Sequence, residues 1–299
     1  MMDKVVLPKF PSRPNKNNWF NFLISLMAYI GIGFLLFPNG FVILFLTLLV
    51  LVHEAGHLIA MRAFRYKDTG IFFIPLLGGL AKGTKREISQ KESAIVLLAG
   101  PLPGILIGTA LLLTNSVSTD MAWAGKLLVI LNGLNLLPIY PLDGGQLFNR
   151  IYLQEEGPGS RFFKIASALF LTFIAIHYKL YPLLYFPLLQ LWQLRPDKIG
   201  EAIEKAANEE NINTNIDYQE LPDEDYWKLR SILLRLHPAC KGISSQTDQY
   251  DENEQRVQTL VESILDRMLI QDLTIAGKLW IGFVWTASLV LSIYFLFDA

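Results

Sequence analysis

The sequence is divided into apolar stretches long enough to cross a bilayer, and this constrains the fold more than any other feature. A helix rises 1.5 Å per residue, so about 20 mostly apolar residues cross a hydrocarbon layer about 30 Å thick. Residues 19–37, 41–61, 93–113, 121–140 and 279–297 meet that requirement. Residues 165–192 are also apolar but are interrupted by Lys179, Pro182 and Pro187, giving one kinked span or two short ones. With 52% hydrophobic and 18% charged residues, the chain is far from a soluble composition, in which about 25% are charged. The expected fold is an all-α polytopic membrane protein with about six or seven transmembrane segments, together with a small β-hairpin and a short helical soluble domain.

Charge and cysteine content narrow the function classes. A net charge of −1 gives no electrostatic support to nucleic-acid binding. The single cysteine, Cys240, excludes an intramolecular disulfide framework and a CxxC metal or redox site. Eighteen residues of mixed polarity precede the first span and no small-residue cleavage site follows it, so that span is read as retained.

Basic residues orient the spans. Lys4, Lys9, Arg13 and Lys16 precede the first; Arg62, Arg65 and Lys67 follow the second; Lys82, Lys85, Arg86 and Lys91 precede the third. The loop at 115–120 has no basic residue, and Arg150, Arg161 and Lys164 follow the fourth span. All of these agree with a cytoplasmic N-terminus. The expected division is an N-terminal arm at 1–18, a membrane core at 19–192, a small helical soluble domain at 193–276 and a C-terminal transmembrane helix at 277–299. The side of the membrane that holds the soluble domain depends on whether 165–192 crosses once or turns back. Residues 70–83 are too short to span as a helix, and Gly78-Gly79 between apolar runs reads as a hairpin turn. Such a hairpin must have its backbone satisfied by protein.

The second span contains His53-Glu54-Ala55-Gly56-His57. Positions i and i+4 share one face of a helix, so both imidazoles can reach one zinc ion, and the glutamate of an H-E-x-x-H site is the general base for a water on the metal. A composition with four histidines and 14 glutamates yields this motif by chance in roughly 0.25% of shuffled chains. Ionisable groups inside a span are costly unless compensated, and a metal compensates them. The bland alternative is a histidine pair bonded to neighbouring helices beside a protonated Glu54. A third ligand must come from elsewhere: His177 and His237 lie at the wrong depth, whereas Asp143 follows a span ending on the same side as His57. On spacing alone, Asp143 is equally a turn carboxylate facing water.

The HEAGH segment, together with Asn135-Leu136-Leu137-Pro138-Ile139-Tyr140-Pro141-Leu142-Asp143-Gly144-Gly145, resembles the site-2 protease family of intramembrane zinc metalloproteases. The resemblance covers residues 41 to about 150. It implies one zinc ion per chain with Asp143 as third ligand, Asn135 holding the substrate backbone or orienting the site, and a hairpin around Gly78 and Gly79 that pairs with an extended substrate. Gly100-Pro101-Leu102-Pro103-Gly104 resembles a glycine-rich motif of the family but has Gly104 where asparagine is common; close helix packing is the preferred reading there.

These readings lead to an enzyme that hydrolyses peptide bonds within or near transmembrane segments of membrane-protein substrates, with Glu54 as base. The alternatives are a catalytically inactive relative that binds or scaffolds such segments and, ranked last, an ion transporter. The expected setting is a bilayer, most simply a bacterial inner membrane, with the site toward the cytoplasmic face. The apolar stripe from Val257 to Leu269 leaves a homo-oligomer open.

Overall fold

Long apolar helices form wherever the sequence lacks breakers, and proline or glycine ends them. The computed structural model describes residues 7–11, 18–36, 39–75, 78–85, 87–114, 118–153, 157–193, 197–244, 250–265 and 268–297. The elements run α1 (Trp19–Leu36), α2 (Gly40–Ala63), β1 (Lys67–Ile74), β2 (Gly78–Thr84), β3 (Glu87–Ser89), α3 (Gln90–Ala99), α4 (Pro101–Leu113), α5 (Thr119–Asn135) and α6 (Asp143–Tyr152). They continue with α7 (Pro158–His177), a 3-10 turn (Tyr181–Leu184), α8 (Tyr185–Gln193), α9 (Lys198–Glu209), α10 (Asp223–Leu236), a second 3-10 turn (Pro238–Cys240), α11 (Glu252–Ile264), β4 (Met268–Ile270) and α12 (Ile275–Phe297). The chain divides into two units, one of residues 16–194 and 269–299, the other of 1–15 and 195–268.

Among the described residues, four helical runs are long and apolar enough to cross a membrane: α2, α3 with α4, α7 and α12. The protein is a polytopic, mostly helical membrane protein, and among the described residues shorter apolar helices accompany these four runs. Three local features shape the remaining apolar stretches. Helix α1 is apolar and 18 residues long. The span expected over 121–140 stops at Asn135, because the chain unwinds over 136–142 before α6. The stretch at 165–192 turns back: α7 ends at His177, Lys179 has φ +56°, and the nine-residue α8 packs against α7. Side chains such as Phe20, Leu35, Phe162 and Phe283 stay exposed on these helices, as lipid-facing residues do.

The hairpin pairs β1 with β2 antiparallel, with Ile74 opposite Gly78, Phe73 opposite Gly79 and Ile71 opposite Ala81. Its turn therefore follows Ile74, and Gly78-Gly79 open the second strand instead of forming the turn. Pro75 explains the shift, since it lacks the N–H that a continuing strand would donate. Gly78 has φ +115°, open only to glycine at low cost. Helix α1 covers β1, and α2 covers β2. Asn18 Nδ2 donates to Asp68 O at 3.1 Å, and Phe73 N–H donates to Ser25 Oγ at 3.1 Å.

Helices α4 and α5 meet at Gly108 and Gly125, where a Cβ on Gly108 would lie 2.6 Å from the Gly125 carbonyl. A core of Ala94, Leu97, Leu98, Ile105, Leu136, Leu147, Ile151 and Trp285 joins α3, α4, α6 and α12 around the 136–142 loop.

In the second unit, α9, α10 and α11 surround a core that includes Ile203, Tyr226, Leu229, Leu233, Val257 and Val261. Asp197 caps α9 and Asp251 caps α11. Residues 7–11 do not stand apart as an arm. Trp227 Nε1 donates to Leu7 O at 2.7 Å, Tyr218 OH donates to Phe10 O at 2.8 Å, and Phe10 packs on Tyr226, Trp227 and Tyr250.

Candidate metal centre

Helix α2 places His53, Glu54 and His57 in its buried face, each less than 10% exposed. Asp143 begins α6, where the helix dipole favours a carboxylate in the first turn. Between them these elements bring three ligand atoms together. His53 Nε2 and His57 Nε2 lie 3.1 Å apart, and Asp143 Oδ2 lies 3.1 Å from the first and 3.3 Å from the second.

The opposite edges of both rings are occupied. His57 Nδ1 faces Val96 O at 2.7 Å. His53 Nδ1 faces Asn132 Oδ1 at 2.8 Å, and Asn132 Nδ2 donates to Leu128 O at 2.8 Å, which fixes the amide's orientation. Both acceptors require a proton on Nδ1, so both Nε2 atoms present lone pairs. Asp143 Oδ2 is buried and accepts no hydrogen bond among the described residues. With the rings in that tautomer three acceptors converge, an arrangement that a bound cation relieves. Zinc bonds of about 2.0–2.1 Å in a tetrahedron place ligand atoms about 3.3–3.4 Å apart, close to the distances here. The donor set, two imidazoles and one carboxylate, fits zinc and leaves a position open.

Glycines make the space. A Cβ on Gly100 would lie 2.2 Å from His57 Nε2, and one on Gly104 2.2 Å from Asn132 Nδ2. One on Gly56 would lie 2.0 Å from the Ala99 carbonyl. The Gly100–Gly104 motif therefore packs closely, and what it packs against is the centre itself. Gly144 and Gly145 let α6 fold onto the loop before it, where Cβ atoms would lie 1.9 Å from Leu136 O and 2.3 Å from Ile139 C. That loop is braced by Trp285 Nε1 donating to Leu136 O (2.7 Å), Tyr140 N–H donating to Ser167 Oγ (3.1 Å) and Gln190 Nε2 donating to Tyr140 O (2.8 Å).

Glu54 points toward the hairpin. Its Oε2 accepts the Ala81 N–H at 2.6 Å, and a Cβ on Gly79 would lie 2.4 Å from Glu54 Cγ. Asn135 is half-buried at the end of α5, and no side-chain hydrogen bond from it is found among the described residues. The asparagine that touches a candidate ligand is Asn132, one turn earlier. Sequence reasoning missed it, although a polar amide within an apolar span is a signal in its own right.

A buried H-E-x-x-H helix with a distant carboxylate, set among membrane-length helices, is a candidate metal centre within the membrane unit. Residues 41–120 match the model for Peptidase family M50, and the resemblance to site-2 proteases carried by the sequence motifs is borne out. The matched segment holds the histidine pair and the hairpin; Asp143 lies beyond it. The chain is 30% identical over 145 residues to "Zinc metalloprotease MJ0392" of Methanocaldococcus jannaschii, covering 46% of this chain and 42% of that one. It is 32% identical over 117 residues to "Stage IV sporulation protein FB" of Bacillus subtilis, covering 38% and 41%. The matches thus span about two-fifths of the length of these curated relatives. A solved structure, "Site-2 Protease from Methanocaldococcus jannaschii", aligns with TM-score 0.40 and 20% identity over 58% of this chain and 85% of that one.

Proposed function

We propose that the chain is an intramembrane zinc metalloendopeptidase that hydrolyses peptide bonds within or near transmembrane segments of other membrane proteins. The observation that carries this reading is the convergence of His53 Nε2, His57 Nε2 and Asp143 Oδ2, three acceptors within 3.3 Å of one another, beside the carboxylate of Glu54 in a membrane-length helix.

His53, His57 and Asp143 hold the metal. Zinc, when bound, polarises a carbonyl oxygen and acidifies water. Asn132 and the Val96 carbonyl keep each ring in the Nδ1–H tautomer and so keep both Nε2 atoms available. Glu54 takes a proton from water as it attacks the peptide carbonyl, and returns that proton to the leaving amine. A substrate helix is closed to attack, so the scissile segment must be extended. The outer edge of β2 at Gly78 and Gly79 supports docking of an extended strand there by β-augmentation. Asn135 is the candidate amide for the substrate backbone. Substrates with helix-breaking residues should be preferred. The distribution of basic residues supports a site toward the cytoplasmic face, and a bacterial inner membrane is the simplest setting.

The test is cleavage of helix-destabilised transmembrane reporters by the purified chain with zinc, beside Glu54→Gln. Cleavage by the first and none by the second is expected. Turnover that survives in Glu54→Gln overturns the assignment of the base. No cleavage by a fully zinc-loaded chain favours a relative that binds such segments without cutting them.

A further inference from the structure

One outward N–H on each strand of the hairpin is satisfied differently. On β1 the outward N–H of Phe73 donates to a neutral hydroxyl, Ser25 Oγ, at 3.1 Å. On β2 the outward N–H of Ala81 donates to a carboxylate, Glu54 Oε2, at 2.6 Å. Ile71 faces Ala81 and Phe73 faces Gly79 in the register, so Ala81 and Phe73 belong to the set of positions that leave the ladder unused. A hydroxyl would satisfy a buried strand edge equally well, as Ser25 does. The carboxylate beside His53 is used instead, and the strand leaves room for it: a Cβ on Gly79 would lie 2.4 Å from Glu54 Cγ and 2.9 Å from Cδ.

We infer that the backbone amide of Ala81 is a positioning group for the base: it holds one carboxylate oxygen of Glu54 on the hairpin and leaves the other to receive the proton. The inference rests on the proposed proteolysis and deepens it. A glutamate has three side-chain torsions to fix, and the Ala81 N–H with the bare backbone of Gly79 fixes its far end. The hairpin is thus part of the catalytic apparatus as well as a place for substrate to dock.

Ala81→Pro deletes the N–H without removing a β1–β2 hydrogen bond. The expected result is a fall in kcat of about 10- to 100-fold, the usual weight of a hydrogen bond to a charged group, with KM within about twofold and zinc content unchanged. Ala81→Ser keeps the N–H and should recover most of the loss. An unchanged kcat in Ala81→Pro overturns the inference, as does a change confined to KM, which would assign this edge to substrate alone. A second measurement needs no turnover. Amide exchange at Ala81 in the full chain should be about tenfold or more faster in Glu54→Ala than in the parent; equal rates overturn the inference even if Ala81→Pro fails to fold. A chain that cuts no reporter but shows this exchange difference would lose the proposed function and keep the hydrogen bond.

Discussion

Two buried clusters of ionisable side chains among the described residues are built on opposite principles. In the helical unit, Arg230 and Glu254 are both almost fully buried and complete each other. Arg230 Nε donates to Glu254 Oε2 at 3.0 Å, its Nη2 donates to Ser244 O at 2.8 Å, and the Glu254 N–H donates to Asp251 Oδ1 at 2.9 Å. Donors meet acceptors and charges cancel. In the membrane unit, His53, His57 and Asp143 turn acceptor toward acceptor, and their donors are spent elsewhere on Asn132 and Val96. The first cluster is complete in itself, whereas converging acceptors are a donor set for a cation. The arrangement of lone pairs, more than burial or charge count, tells the two apart.

Several experiments break or sharpen this contrast. The largest effect should come from Asp143→Ala, which removes one of three acceptors. Zinc binding should weaken by more than the about 10–100-fold typical of losing a group behind a ligand. Unchanged zinc content by atomic absorption would take Asp143 out of the ligand set. Next is Glu254→Leu, which leaves the Arg230 charge buried without its carboxylate and should cost about 3–5 kcal/mol in denaturant unfolding followed by tryptophan fluorescence. Adding Arg230→Met should restore most of that loss, and neither variant should change zinc content. A double variant as unstable as the single one would show that the pair is more than a self-contained unit. Asn132→Ala comes third, with zinc affinity down about 10–100-fold while the fold survives, measured by competition with a chelator. The smallest effect concerns Cys240 in the helical core. Burial pushes its thiol pKa up, so maleimide labelling at neutral pH should be slow until the unit unfolds.

Legibility in the sequence followed distance along the chain. His53, Glu54 and His57 are one helical turn apart, and helix periodicity alone puts both rings on one face. Asp143 reaches them across some 90 residues, and no local rule predicts that; only its motif did. Two backbone partners, one behind a histidine and one behind Glu54, were invisible for the same reason. Val96 contributes a carbonyl and Ala81 an amide, groups that every residue carries, so their side chains announce nothing. Gly100 could be read as a packing glycine, but not what it packs against. The hairpin was legible in composition and missed in register, because Gly78-Gly79 looks like a turn unless Pro75 is allowed to set it first. The unwinding after Asn135 was hidden by the apolar residues that continue to Tyr140.

The bond from Trp285 Nε1 to the Leu136 carbonyl joins positions 149 residues apart. At synthesis rates of about 5–20 residues per second, Leu136 is made roughly 7–30 s before its partner exists. Throughout that interval the loop leading to Asp143 lacks one of its braces, while the helix bearing His53 and His57 is already made. This order of assembly delays the completed centre until the helix that braces the loop before Asp143 has joined the bundle.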